Sequence, residues 1–220
     1  MKIICNNCFS GFFMKRYGLQ YETPFVWARI YPEDFCFLIN QFTTLNFGSI
    51  KCKYCKNVPN HKCLPINKNS VAIQISNGPY IFYNHYKFDE LAITPRIEIP
   101  DVFSAHNMKY AIIKYITRVK RMCASPDAPI WIYHSNTPAN GPAGHEFDIV
   151  DTPKTVSQII DALNKHHTYK AIIITQFDRD ALSPTSSNIL LCSIKNPYSS
   201  FDDIIKIYGN QILEFSNEHH

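Results

Sequence analysis

Three apolar runs in the second half of the chain constrain the fold most: residues 130–133 (IWIY), 171–175 (AIIIT) and 189–194 (ILLCSI). They are too short for buried helices and too continuous for half-exposed strands. Runs of this kind are strands covered on both faces. Between and after them, residues 156–165, following Pro153, and residues 201–213 carry helical spacing. Strands alternating with helices imply helices packed on a sheet. The expected fold class is therefore α/β or α+β: a single three-layer domain over residues 1–220, with a mixed central sheet flanked by helices.

The first half is less regular. Residues 2–5 read as a strand and 8–17 as a helix that Gly18 stops. Residues 25–30 (FVWARI) read as a strand. Pro32, Glu33 and Asp34 open a helix to Phe42, with proline and acids where helix starts favour them. Residues 71–75 and 79–83 read as strands joined by the turn Ser76-Asn77-Gly78. Residues 104–122 form the longest helical pattern, with Ala111, Ile112, Tyr115, Ile116, Val119 and Met122 as its apolar stripe. Residues 51–65 break the pattern and read as a Cys-rich loop or insertion. Residues 91–102 read as irregular, and 137–144, with two prolines and two glycines, as the most mobile loop.

A hydrophobic content of 45% over 220 residues suffices for one substantial core. The formal charge of +4 is mild and calls for no nucleic-acid partner. Lys109, Lys114, Arg118, Lys120 and Arg121 read as the solvated face of a helix. No apolar run reaches the roughly 18 residues of a membrane span, and the start has no secretory h-region. A cytoplasmic location is expected, where eight cysteines are free, metal-bound or catalytic. His219 and His220 are set aside as a tag-like end.

Residues 3–19 (IICNNCFSGFFMKRYGL) carry the chemistry. Asn6 and Asn7 offer turn and cap groups, and Cys8 falls at the start of a helix. Unpaired N–H groups and the positive macrodipole end favour a thiolate there, so Cys8 is a candidate nucleophile. Its base is sought among nine histidines. His85 ranks first, delivered by the YIFYN strand, and His134 second, at the end of IWIY. Asn136, Asp89 or Asp148 would orient the imidazole, since such triads converge in space and not in chain order. The backbone N–H of Cys8, with Asn6 or Asn7, would hold an oxyanion.

Cys52, Cys55, His61 and Cys63 form a second set, within KCKYCKNVPNHKC. Thiolates and imidazole suit tetrahedral zinc, which would staple the loop structurally; no cofactor is otherwise required. A joint site from Cys5, Cys8, Cys52 and Cys55 is the variant of this reading, and zinc on Cys8 would exclude the nucleophile. Asp178 and Asp180, after AIIIT, stand where open α/β sheets place ligand groups, although a turn explains them as well. Walker, GxGxxG and HExxH motifs are absent.

The segments NNCFSGFFMKRYGL, TPFVW, PEDFCFLINQF, IFYNHYKF, KYITRVKRM and IWIY resemble, in order, a family of uncharacterised domains classed as papain-like cysteine peptidases. A sister family, labelled exopolysaccharide biosynthesis proteins, shares the NNC-G opening and the TPF and HYK segments. The resemblance runs over residues 3–176 without the Cys-rich loop. It implies Cys8 as nucleophile and His85 as base. The acid that usually precedes the tryptophan is Val26 here. The function expected is a cysteine hydrolase or acyl/amide transferase acting on a small-molecule, acyl or glycan substrate. The alternatives are a sugar- or nucleotide-sugar-handling protein of surface polysaccharide synthesis, and a non-catalytic zinc-stapled module. The sequence leaves the oligomeric state open.

Overall fold

The computed structural model describes residues 1–54, 71–83, 101–135, 151–196 and 199–217. Four strands, β1 (Ile3–Cys5), β5 (Ile130–His134), β6 (Lys170–Thr175) and β7 (Ile189–Ser193), form a sheet in the order β1-β5-β6-β7. Every pairing in it is parallel. A second sheet, β2 (Ile50–Tyr54), β3 (Val71–Ile75) and β4 (Tyr80–Tyr83), is antiparallel. Among the described residues five helices accompany them: α1 (Phe9–Arg16), α2 (Pro32–Gln41), α3 (Asp101–Ala124), α4 (Pro153–Asn164) and α5 (Phe201–Asn217). The α/β class stands. The pairings expected of one mixed sheet are instead divided between two sheets.

Alternation along the parallel strands feeds two cores. Ile3, Cys5, Ile130, Ile132, Ile172, Ile174 and Cys192 face α1 and α5. Ile4, Trp131, Tyr133, Ala171, Ile173 and Ile189 face α2, α3 and α4, in a core that also takes Val71, Ile73, Ile75 and Ile81 from the second sheet. A sheet covered on both faces must be apolar at every position, which is why IWIY and AIIIT show no period-2 pattern.

Four expectations are corrected. Residues 25–30 do not form a strand: Trp27 takes a left-handed φ of 61°, which turns the chain. Gly11 makes this possible, because a Cβ there would lie 2.3 Å from Trp27 Cδ2. Of that run only Arg29 pairs, in an isolated antiparallel bridge with Phe82. The proposed loop at 51–65 begins as strand, since Lys51 to Tyr54 pair with β3. On α3, Ile116 is exposed, while Ala111, Tyr115 and Met122 are buried. Arg118 and Arg121 are not merely solvated: they donate to the Val26 and Tyr21 carbonyls, and Arg118 lies over the Tyr21 ring.

Elsewhere the capping chemistry works as its residue types require. Pro32 occupies the first turn of α2 with Glu33 and Asp34 beside it. Gly18, at φ 64°, ends the α1 region. Thr152 caps α4 through the Thr155 N–H, at 3.2 Å. No helix among the described residues is long and apolar enough to cross a membrane.

Candidate functional site

The carboxyl ends of β1 and β5 meet at one turn, Asn6-Asn7-Cys8, that runs straight into α1. In open α/β folds this edge of the sheet is where ligands bind. Four side-chain amide contacts build the turn. Asn6 Nδ2 donates to the His134 carbonyl at 3.0 Å, and Asn6 Oδ1 accepts from the His134 N–H at 2.9 Å. The amide thus continues the β1–β5 ladder one step beyond the backbone. Asn7 Oδ1 accepts from the Phe9 N–H at 3.0 Å and caps α1. With its oxygen so committed, Asn7 turns its nitrogen to His134 Nδ1, at 2.9 Å.

Cys8 is the N-cap residue of α1, with helical dihedrals and no capping bond of its own. Its carbonyl accepts from Gly11 and Phe12. The placement agrees with the sequence; the expected thiolate does not. Burial raises the Cys8 thiol to about 12, the Cys5 charge adds to that rise, and the Arg29 guanidinium only partly opposes it. The eight-residue helix behind it cannot offset desolvation. Cys5 is fully buried and raised to about 11 by burial, despite backbone N–H groups of Asn7 and Ser10 directed at it.

His134 is wholly buried, and burial holds its imidazole down to about 3. The ring stacks on Phe9 at 6.0 Å and meets Phe201 edge-on at 5.4 Å. Nδ1 accepts a hydrogen bond from the Asn7 amide N–H, which places the ring's own N–H on Nε2. Among the described residues Nε2 has no hydrogen-bond partner. With both nitrogens accounted for among the described residues, His134 is not a base hydrogen-bonded to Cys8.

Arg29 is the residue the sequence reading passed over. It is buried, its guanidinium lies 5.3 Å from the Tyr31 ring centroid, and its charge reaches Cys8. The available signal was a lone arginine inside an apolar run. Its N–H and carbonyl both bond Phe82, while the Ile30 N–H bonds the Asn6 carbonyl. Residues 29–30 therefore join the second sheet to the turn that bears Cys8.

His85, Asn136, Asp89 and Asp148 lie outside the described residues, as do Cys55, His61 and Cys63. Cys52 sits in β2, half-buried, with its thiol raised to about 11 by burial. Among the described residues no three His, Cys, Asp or Glu side chains gather as a metal set. The joint site is thereby corrected: Cys5, Cys8 and Cys52 do not converge, because Cys52 belongs to the second sheet. Asp178 and Asp180 are exposed around a short 3-10 turn, Arg179–Ala181, in which the Asp178 carbonyl accepts from Ala181. The turn explains them.

Residues 1–94 match a family model. Its description is Domain of unknown function (DUF1919). The match takes in β1 through β4, with Cys8, Arg29 and His85, and stops short of His134. The chain is similar to that family over this stretch. No curated protein matches the chain.

Proposed function

We propose that the protein is a cysteine hydrolase or acyl/amide transferase of papain-like type, with Cys8 as nucleophile. The observation that carries this reading is the position of Cys8. It is half-buried at the N-cap of α1, directly beyond the end of a parallel strand, where the Arg29 charge partly offsets the effect of burial on its thiol. A strand-turn-helix junction of this kind presents a side chain at the ligand-binding edge of the sheet.

The raised thiol makes a base necessary. At neutral pH a thiol that burial raises this far is held protonated, which disfavours spontaneous attack. His134 is committed to Asn7 and does not take the proton. The reading assigns that task to His85, two residues beyond the end of β4. The base withdraws the Cys8 proton as sulfur bonds to the acyl carbon, and the carbonyl pair moves onto oxygen. Collapse of the tetrahedral adduct expels the leaving group, which receives the proton from the base. Water, or an acceptor alcohol or amine, then cleaves the thioester and regenerates the thiol. The substrate is an ester, thioester or amide, of small-molecule, acyl or glycan origin.

The test is chloroacetamide alkylation at neutral pH, with the label located by peptide mapping because Cys123 is exposed and competes for reagent. Cys8 should label in the wild type, and His85→Gln should slow that labelling while the Cys123 rate stays unchanged. Absence of label on Cys8 in the folded protein defeats the proposal.

A further inference from the structure

The amides expected to stabilise an oxyanion are engaged by His134 and Phe9. Asn6 spends both of its polar atoms on the His134 backbone. Asn7 spends its oxygen on Phe9 N–H and its nitrogen on His134 Nδ1. The second of these arrangements has a chemical result. An amide N–H given to Nδ1 fixes the Nε2–H tautomer, so the ring becomes an oriented donor. That donor is wholly buried and has no acceptor among the described residues. Buried N–H groups are almost always paired, so one without an acceptor, on the residue that ends β5 beside the turn that bears Cys8, calls for an explanation. Phe9 and Phe201 hold the imidazole by its face and its edge.

We propose that His134 Nε2–H is the oxyanion donor for the Cys8 reaction, with Asn7 as the residue that sets its tautomer. The inference rests on the acyl-transfer reading above and deepens it. When sulfur adds to the acyl carbon, the carbonyl oxygen takes the electron pair and accepts a hydrogen bond from Nε2–H. No proton leaves the ring. The imidazole serves as a neutral electrophile and not as a base, which suits a ring that burial keeps uncharged. Asn7 lies next to Cys8 in the chain and touches the ring, so one residue couples the nucleophile turn to the donor.

Two reactions of the same thiol separate this role from others. Acylation by p-nitrophenyl acetate passes through an oxyanion; alkylation by chloroacetamide does not. Both are measured on the full chain in a Cys123→Ser background, with the modification located at Cys8. His134→Phe should slow acylation about 10²-fold, the usual loss for one such donor, and alter alkylation by no more than about threefold. His134→Gln keeps an amide donor and should fall between them. An equal fall in both reactions would make His134 a base or a packing residue, and an unchanged acylation rate would make it a bystander; either overturns the inference. A wild type that alkylates at Cys8 without acylating defeats the acyl-transfer reading itself, which is a separate outcome. If His134→Phe does not fold, the ¹⁵N spectrum of the wild-type ring decides. An Nε2–H signal that shifts when Cys8 is acetylated supports the role, and one that stays fixed overturns it.

Discussion

Replacing Asn6 by alanine should test how the site is held together. The side chain is buried, and both of its hydrogen bonds go to the backbone of one residue, His134. In Asn6→Ala the His134 N–H loses this acceptor. A buried N–H left open costs about 1–3 kcal/mol, and the lost bond to the carbonyl adds about 0.5–1.5 kcal/mol. Asn7 Nδ2, 3.4 Å from the same carbonyl, limits that second loss. The sum is about 2–4 kcal/mol, or roughly 4–16 °C in Tm for a chain of this size. Asn6→Asp should be no better, since it keeps the acceptor but sets an oxygen against the His134 carbonyl. The assay is urea unfolding followed by circular dichroism, read at equal m so that midpoints compare directly. A loss below about 0.5 kcal/mol for Asn6→Ala, the level of an ordinary surface change, would refute the reasoning.

Three further outcomes are expected. Gly11→Ala should lower Tm even though it improves helix propensity by up to about 1 kcal/mol, because the new methyl would lie 2.3 Å from an indole that is already edge-on to Phe12; an unchanged or raised Tm contradicts this. His134 has a folded value near 3 against an ordinary 6.5, so the unfolded chain binds a proton that the folded chain refuses. Its contribution is intact above pH 6.5 and is lost as pH falls towards 3, by about 2–3 kcal/mol at pH 4.5. His134→Gln should therefore be less acid-sensitive than the wild type, and parallel urea midpoints from pH 7 to pH 4.5 would count against the assignment. Thr152→Ala removes the cap of α4, where Thr152 Oγ1 accepts from the Thr155 N–H, and should cost about 1 kcal/mol with no change in Cys8 alkylation.

The strands of the parallel sheet were legible, though not their separation from the second sheet, because strands buried on both faces have no other way to read. IWIY and AIIIT carry that constraint in every residue, and they appear as β5 and β6. FVWARI carries the same composition but is an irregular buried segment; only the left-handed φ of Trp27, which no local pattern announces, separates the two. At the site, Asn7 was visible as a cap and Cys8 as a helix start, since both depend on neighbours in sequence. The state of the thiol was not visible. It depends on how deeply α1 sinks against the sheet, and burial there outweighs the helix end. The Asn7–His134 pair joins residues 127 positions apart, so no spacing rule reaches it. Arg29 was legible in principle, as the one charge in an apolar run, but its influence on Cys8 comes from a turn in the chain.

The reciprocal bonds between Arg29 and Phe82, together with the Ile30 N–H on Asn6, make two residues the rivet between the sheets. Backbone amides locked on either side of such a rivet can exchange with solvent only when it opens. Deuterium uptake at Ile30 and at Phe82 should therefore proceed at one shared rate, and that rate times each excursion of the second sheet away from the turn that carries the reactive sulfur.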